Sequence, residues 1–278
     1  MNRRRFLLGS TAAAASAALG LGAYGRWGEV HWVEFVDHDL PVTGLPAALA
    51  GARLVQLSDL HIGPRVDDGF LIETFARVRD MAPDIVVYTG DFVTWGDKAQ
   101  LAQLTRVMRH APLGSLGSAA IFGNHDYGVG WREPQVADAI ASRLADLGIP
   151  VLSNDCLNVS GLTIAGLDDF WGPRFSARLP SAACTTPSIV LCHNPDVCDL
   201  DAWQGYSGWI LSGHTHGGQV SLPIVGAPIL PVRNTRYVAG AYQLDGGRRL
   251  YINRALGHAL QVRFGVRPEV TVHRLLRA

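Results

Sequence analysis

The chain has 278 residues, enough for one large domain, and its 24 basic and 24 acidic side chains leave no net charge. A chain without net charge has no bulk attraction for nucleic acid or for an anionic membrane surface, so no nucleic-acid partner is expected. Any preference for phosphate must therefore come from local motifs, and we take these in chain order.

The N-terminus has the pattern of a targeting segment. Arg3, Arg4 and Arg5 precede Phe6, and residues 6–23 form an Ala- and Gly-rich stretch without a charge. This resembles a twin-arginine signal peptide, and an uncleaved N-terminal anchor helix is the alternative. Both interpretations divide the chain into a leader over residues 1–28 and one domain over residues 29–278. Both also predict a protein on the outer side of the cytoplasmic membrane, in the periplasm or cell wall.

The first half of the domain repeats a strand and helix pattern. An edge strand is predicted at 30–36 and a connector at 41–51. Apolar runs at 53–57, 84–89 and 119–122 predict buried strands, and helices are predicted between them and after 134. Each buried strand ends in polar residues, which are Asp59 and His61, Asp91, and the pair Asn124 and His125. Because ligands bind beyond the carboxyl ends of strands in open α/β sheets, we expect these residues to share one crevice.

The second half is predicted to be rich in strands. Buried strands at 188–192 and 208–212 end at His193 and at the histidines His214 and His216. Further antiparallel strands are predicted at 220–222, 239–244, 250–253 and 270–275. The cysteines Cys156, Cys184, Cys192 and Cys198 lack metal-finger or redox spacing, so buried thiols are the simplest interpretation and a disulfide stays open.

Seven side chains from these strand ends are candidate metal ligands. They are two carboxylates, one amide and four imidazoles: Asp59, Asp91, Asn124, His61, His193, His214 and His216. Seven ligands exceed the needs of one ion and suit two divalent ions that share a carboxylate. The mixture of nitrogen and oxygen donors indicates manganese, iron or zinc, and we favour manganese.

The chemistry expected of such a pair of ions is phosphoester hydrolysis. Four metal charges exceed the two carboxylate charges, so the pocket attracts phosphate. Water shared by two metals has a lowered pKa and attacks phosphorus as hydroxide. His125 follows a ligand without being needed as one, so we expect it to protonate the leaving oxygen as general acid. We expect Asp126 to hold the tautomer of His125 and to raise its pKa.

The motifs Asp-x-His, Gly-Asp, Gly-Asn-His-Asp, His and Gly-His-x-His occur here in that order. Over residues 50–276 the chain resembles the calcineurin-like metallophosphoesterase superfamily, and within it the twin-arginine-exported, membrane-associated bacterial phosphodiesterases. The resemblance implies an α/β fold in which two mixed sheets form a sandwich with flanking helices. It also implies one metal site formed by Asp59, His61, Asp91 and His216, and a second formed by Asp91, Asn124, His193 and His214. Ala255 departs from the pattern, since relatives usually carry Gly there.

These features lead us to expect an exported enzyme that hydrolyses phosphodiesters in preference to monoesters. Its location favours a cell-envelope substrate, with the membrane or the export machinery as partner; the sequence indicates no oligomeric state. One alternative is a pyrophosphatase acting on a nucleotide-linked lipid precursor such as UDP-diacylglucosamine. Trp95, Trp131, Phe170 and Trp171 would then line an apolar entrance. Another alternative, a non-catalytic metal-binding docking module, is disfavoured because every ligand and His125 are present.

Overall fold

The computed structural model describes residues 10, 15–95, 97–184, 187–203 and 205–278. Arg3, Arg4 and Arg5 of the predicted leader lie outside the described residues. Residues 15–23 are helical, and a π-helical turn Tyr24–Gly28 and a 3₁₀ turn Glu29–His31 follow. Within the described ranges, no helix combines the length and the apolar character needed to cross a membrane.

Fourteen longer elements build the domain within the described part of the chain. In order they are β1 Glu34–Val42, β2 Arg53–Leu57, α1 Asp68–Asp80, β3 Ile85–Thr89, α2 Ala99–Met108, β4 Gly117–Ile121, α3 Pro134–Ala145, β5 Asp155–Val159, β6 Leu162–Gly166, β7 Ser188–Leu191, β8 Trp209–Ser212, β9 Gly240–Gln243, β10 Arg249–Ile252 and β11 Glu269–Arg277. The side chain of Asp67 caps α1 by accepting the Phe70 N–H at 2.7 Å. The strands β3, β7 and β8 are buried along their whole length, which explains their continuous apolar sequences.

The strands form two mixed sheets. The first has the order β1-β11-β2-β3-β4, in which β2, β3 and β4 are parallel and β11 is antiparallel to β2. The second has the order β5-β6-β7-β8-β10-β9, with a parallel centre and antiparallel outer strands β5 and β9. This arrangement confirms the predicted fold class.

The two sheets pack face to face around a shared apolar layer. Val87 and Ile121 of the first sheet belong to the same buried cluster as Ile189 and Leu211 of the second. The other face of the first sheet is covered by α1, α2 and α3. The outer face of the second sheet packs against loops and short helical turns, including Trp203. This packing places the carboxyl ends of the parallel strands from both sheets at one edge of the sandwich.

Some predicted boundaries were wrong. The first strand starts at Glu34 and not at residue 30, and it continues to Val42 through part of the predicted connector, because it pairs in parallel with β11 over its whole length. The strand at 250–253, predicted to be antiparallel, is parallel to β8 on one side. Residues 220–222 form only isolated bridges. Cys192 and Cys198 are reduced and buried, and burial raises the pKa of each thiol.

Candidate active site and metal centre

All seven predicted ligands meet at the edge where the two sheets present their carboxyl ends. The first sheet supplies Asp59 and His61 after β2, Asp91 after β3 and Asn124 after β4; the second supplies His193 after β7, and His214 and His216 after β8. Each of the seven is at most 7% exposed. The sequence placed these residues at strand ends, and the packing of the two sheets brings them into one site.

The donor atoms fall into three groups, of which two consist only of predicted ligands and the third, formed by His61, Asp91 and His125, connects them. In one of the two, His216 Nε2 lies 3.2 Å from Asp59 Oδ1 and 3.1 Å from His61 Nε2. In the other, His193 Nε2 lies 3.2 Å from His214 Nδ1. Groups of this kind, in which donor atoms lie within 4.8 Å of one another, can hold metal ions.

Asp91 lies between the two groups. Its Oδ2 atom is 3.6 Å from His61 Nε2 and 3.4 Å from His193 Nε2. One carboxylate oxygen thus reaches a histidine of each group. This is the position that a carboxylate shared by two cations must occupy.

Hydrogen bonds to backbone carbonyls orient the rings of His193 and His214. His193 Nδ1 donates to the Thr89 carbonyl oxygen at 2.7 Å, and His214 Nε2 donates to the Pro231 carbonyl oxygen at 2.7 Å. Because a carbonyl oxygen only accepts, the hydrogen of each neutral ring lies on the outward nitrogen. When both rings are neutral, the nitrogens that face each other inside the site therefore carry lone pairs, and a proton or a metal ion makes this contact favourable.

The ligand Asn124 has a polar side-chain atom without a partner. Asn124 Oδ1 is buried and has no hydrogen-bond partner among the described residues. An unpaired buried acceptor costs about 1–3 kcal/mol, and a cation would satisfy it. The donor set therefore fits divalent metal ions.

The two buried carboxylates favour a positive charge at His193, while burial keeps the His61 and His214 imidazoles neutral. Burial by itself lowers the pKa of His193, but the Asp91 and Asp59 carboxylates outweigh burial and raise the pKa well above its usual value. Burial lowers the pKa of His61, and it lowers the pKa of His214 to about 3. Burial opposes ionisation of Asp59, yet His216 and His193 keep its pKa low. The carboxylates are thus ionised beside a position that favours a proton or a cation.

Five of the ligands have an unusual backbone. Asp59, His61, Asp91, His214 and His216 all have positive φ angles between 48° and 70°. Such conformations cost non-glycine residues of the order of 1–3 kcal/mol each and concentrate at functional sites. Composition and periodicity did not indicate this strain.

Two motif glycines allow the close approach of the carboxylates. A Cβ atom at Gly213 would overlap Ser58 Oγ and Asp59 Oδ2, and one at Gly123 would overlap Asp91 Oδ1. Ala255 has φ 67°, in the left-handed region that glycine tolerates best.

His125 lies at the edge of the two groups. Its ring centroid is 5.1 Å from that of His61 and 6.0 Å from that of Trp131, and its backbone N–H donates to Asp91 Oδ1 at 2.9 Å. The side chain is partly exposed, whereas the ligands are buried. This placement suits a proton donor that faces the substrate.

Asp126 does not have the expected arrangement. Its Oδ1 atom accepts the N–H groups of Phe92 and Val93, and Oδ2 accepts the N–H of Gly123 at 2.9 Å. Both oxygens are therefore committed to the backbone. The structure corrects the prediction that Asp126 orients the His125 ring, because this carboxylate instead ties together the loops that carry Asp91 and Asn124.

A cavity of about 670 Å³ opens over the site. Asp91, Asn124, His125, His214 and His216 contribute polar groups to it, and its walls are mostly apolar. Trp131 and Trp171 stack with ring centroids 4.9 Å apart and form one wall. Two of the four aromatics predicted for an apolar entrance thus lie here. Trp95 lines a different cavity, and Phe170 packs against Phe175.

Sequence reasoning missed several residues of the site. The outward nitrogen of His61 lies 2.8 Å from the Thr94 hydroxyl oxygen, and the carbonyls of Thr89 and Pro231 orient two further rings. Ile229 and Leu260 form much of the remaining apolar wall. No motif marks these positions, because they act through backbone carbonyls, through general apolar character or, in Thr94, through a single hydroxyl in a loop.

The fold and site together define a class of protein, and the sequence profile of the calcineurin-like phosphoesterase family matches residues 52–218. The chain belongs to this family and is a metal-dependent phosphoester hydrolase.

Three relatives illustrate the range of the family. The chain is 32% identical to the metallophosphoesterase YkuE of Bacillus subtilis, over 99% of this chain and 98% of the relative. It is 32% identical to the phosphodiesterase YaeI of Escherichia coli, over 99% of this chain and 100% of the relative. It is 29% identical to the UDP-2,3-diacylglucosamine pyrophosphatase LpxG of Chlamydia trachomatis, over 83% of this chain and 85% of the relative.

Proposed function

We propose that the chain is an exported phosphodiesterase that works with two divalent ions. The observation that carries this proposal is the contact between His193 Nε2 and His214 Nδ1 at 3.2 Å, with Asp91 reaching from one of these rings to His61. The Escherichia coli relative is named a phosphodiesterase, which agrees with the proposal.

The ligands divide between two ions that share Asp91. Asp59, His61 and His216 complete the first site with Asp91; the second site consists of Asp91 with Asn124, His193 and His214. The three oxygen donors suit manganese and the four imidazoles suit iron or zinc, and of these three metals we favour manganese. Bound ions would supply a water of lowered pKa as nucleophile and would offset the charge of the phosphate.

The protein itself handles the leaving group and the substrate. His125 stands at the opening of the cavity and donates a proton from its ring to the leaving oxygen, a contribution typically worth about a hundred- to ten-thousandfold in rate. Among the described residues that line the cavity, none is Lys or Arg. A monoester dianion would find no side-chain cation there, whereas a diester has one charge and a second substituent for the apolar wall.

The test combines metal analysis with a substrate panel. We expect the manganese-loaded protein to hold two ions per chain and to hydrolyse aryl phosphodiesters faster than aryl phosphomonoesters. We expect His125→Ala to keep both ions and lose about a hundred- to ten-thousandfold in kcat. The exposed His110 provides a control, since His110→Ala should change neither quantity. Loss of an ion in His125→Ala would make His125 a ligand, and no turnover of any ester would favour a non-catalytic docking module.

A second candidate activity is cleavage of the pyrophosphate in a nucleotide-linked lipid precursor. The apolar cavity walls at Trp131, Trp171 and Leu260 favour it, since they suit an acyl group. The relative LpxG is named for such a substrate. A comparison of kcat/KM for UDP-2,3-diacylglucosamine with that for a simple phosphodiester decides between the two activities.

Export places the enzyme among cell-envelope substrates. The leader over residues 1–28 precedes the catalytic domain over residues 29–278, and the membrane or the export machinery is its partner. Replacing Arg3, Arg4 and Arg5 together with Lys keeps the charge and removes the twin-arginine signal. We expect this variant to remain in the cytoplasm on cell fractionation. Unchanged export would indicate an ordinary anchor helix instead.

A further inference from the structure

Exposed apolar side chains surround the opening of the active-site cavity. Ile224, Val225 and Ile229 are 107%, 70% and 78% exposed, and Leu260 is 60% exposed. Ile229 and Leu260 also line the cavity. Large apolar side chains exposed together mark interaction sites rather than ordinary protein surface.

Backbone hydrogen bonds make these residues part of one surface. The Ser221 N–H donates to the Phe264 carbonyl oxygen at 2.7 Å, and the Arg263 N–H donates to the Gly25 carbonyl oxygen at 2.9 Å. Residues 260–264 therefore lie between the loop at 221–229 and the N-terminal segment. That segment adds two exposed apolar side chains, Leu21 at 55% and Trp27 at 61%. We call residues 19–27, 221–229 and 260–262 the apolar rim.

The loop at 221–229 presents its tip outward. Leu222 and Gly226 exchange backbone hydrogen bonds of 2.9 and 2.8 Å, which closes a tight turn. Within this turn Ile224 has φ 72°, a conformation that is a genuine outlier for a β-branched residue. The turn thus holds a strained isoleucine fully exposed to solvent.

The charges near the rim favour a lipid surface over a protein partner. Residues 219–232 contain no charged side chain. The guanidinium groups of Arg26 and Arg65 donate to the carbonyl oxygens of Gln261 and Ala259, on either side of Leu260. Arg and Trp beside an uncharged apolar patch suit the phosphate and interfacial layers above acyl chains.

The chain that leads into the rim is also apolar. Residues 6–23 contain no charge, and the segment reaches the rim at Gly25. A bilayer that holds this stretch therefore lies beside the opening of the cavity. We propose that the apolar rim rests on a phospholipid bilayer, with Ile224 and Val225 inserted among the lipids. Docking in this orientation, which rests on the proposed function of the site, would make the substrate a phosphodiester of a membrane lipid.

The docking itself is tested with a fluorescent label. An environment-sensitive dye on Ile224→Cys of the full chain should increase in emission and shift to the blue when vesicles of phosphatidylethanolamine and phosphatidylglycerol are added. The matched control is Leu116→Cys, at a residue 45% exposed outside the rim. Labelled wild-type protein reports any signal from native cysteines. No response at residue 224, or an equal response at residue 116, would overturn the proposal; a response to protein concentration without vesicles would indicate a second copy instead.

The consequence for activity is tested separately. Ile224 and Val225 lie outside the residues that line the cavity, so the double change Ile224→Glu and Val225→Glu should leave turnover of a soluble aryl phosphodiester unchanged. Hydrolysis of a phosphodiester lipid in vesicles should fall at least about tenfold, because charged side chains no longer insert. Leu116→Glu should change neither rate. If the double variant loses activity equally on both substrates, or loses none on either, the docking proposal is contradicted. If the wild type hydrolyses neither ester, the proposed function fails, and the fluorescent label still tests the docking.

Discussion

His193 Nε2 lies 3.2 Å from His214 Nδ1. In each ring the N–H on the other nitrogen donates a hydrogen bond to a backbone carbonyl. The two carbonyls belong to Thr89, at the end of β3, and to Pro231, in the loop after β8. The protein therefore directs two nitrogen lone pairs at each other from separate parts of the chain. Folding, protonation and metal binding are linked by this contact, because a proton or a metal ion removes the repulsion between the lone pairs of the neutral rings.

Asp91→Asn should empty the metal centre. Asp91 lies nearer than Asp59 to His61 and to His193, which belong to different donor groups, so its loss weakens both sites. Removing a supporting partner of a ligand costs about ten- to a hundredfold in metal affinity or activity, and loss of the shared ligand should exceed that range. Metal content per chain and kcat/KM with a phosphodiester measure the effect. The exposed Asp80 at the end of α1 is the control, and an Asp91→Asn protein that kept two ions would refute the shared position.

Thr94→Val should loosen the metal centre without removing a ligand. The Thr94 hydroxyl bonds His61 Nδ1 at 2.8 Å, and valine keeps the shape while losing this bond. We expect metal affinity to fall about ten- to a hundredfold. The control is Thr105→Val, whose hydroxyl bonds only within its own helix at Leu101. Titration with a chelator of known affinity compares the proteins, and equal midpoints would mean that this hydroxyl does not orient the ring.

Asp126→Ala should act on stability rather than on proton transfer. The carboxylate accepts the backbone N–H groups of Phe92, Val93 and Gly123, and alanine leaves these buried donors unpaired. We expect a loss of about 3 kcal/mol in the free energy of unfolding. Urea unfolding measures it, with Asp126→Asn as a variant that retains one acceptor oxygen. If stability were unchanged while the pH dependence of kcat shifted, Asp126 would be the partner of His125 after all.

Stability should fall in acid partly through His273. This ring is buried between sheet residues, its Nε2 lies 3.0 Å from Gln56 Oε1, and its Nδ1 lies 3.2 Å from His38 Nδ1. Burial lowers the pKa of His273 well below 6.5 in the folded state. In the unfolded chain the His273 ring therefore binds a proton near pH 6.5, whereas in the folded chain it stays neutral at that pH. The free energy of unfolding consequently decreases as the pH falls below that value. This one group contributes up to about 1.4 kcal/mol per pH unit.

The measurement for His273 is the slope of unfolding free energy between pH 7 and about pH 5, a window that spans the ordinary histidine pKa. His273→Gln should be less stable at pH 7 and have a shallower slope. The exposed His110 is the control, and His110→Gln should keep the slope of the wild type. Equal slopes in all three proteins would show that His273 does not link folding to protonation.

Much of the site follows from local sequence. Each ligand comes directly after a short apolar run, and a buried strand is a local pattern that ends where the polar residues begin. The placement of Asp59, Asp91 and His193 at strand ends was therefore predictable, whereas the two mixed sheets were expected only from the family resemblance. The strand at 30–36 was placed wrongly because its extent depends on pairing with β11, more than two hundred residues further along the chain.

The sequence by itself determined which side chains can serve as ligands and on which strand ends they lie, because residue type and local periodicity are properties of neighbouring residues. The family resemblance placed Asp91 in both metal sites, but only the tertiary structure decided how closely Asp91 approaches each group, that Asp126 binds the backbone, and that Thr94 supports His61. These relations join residues that are far apart in the chain, and hydrogen-bond geometry selects among partners that composition cannot distinguish. The same holds for the apolar rim, where Ile224 and Leu260 share one surface because hydrogen-bonded segments place them there.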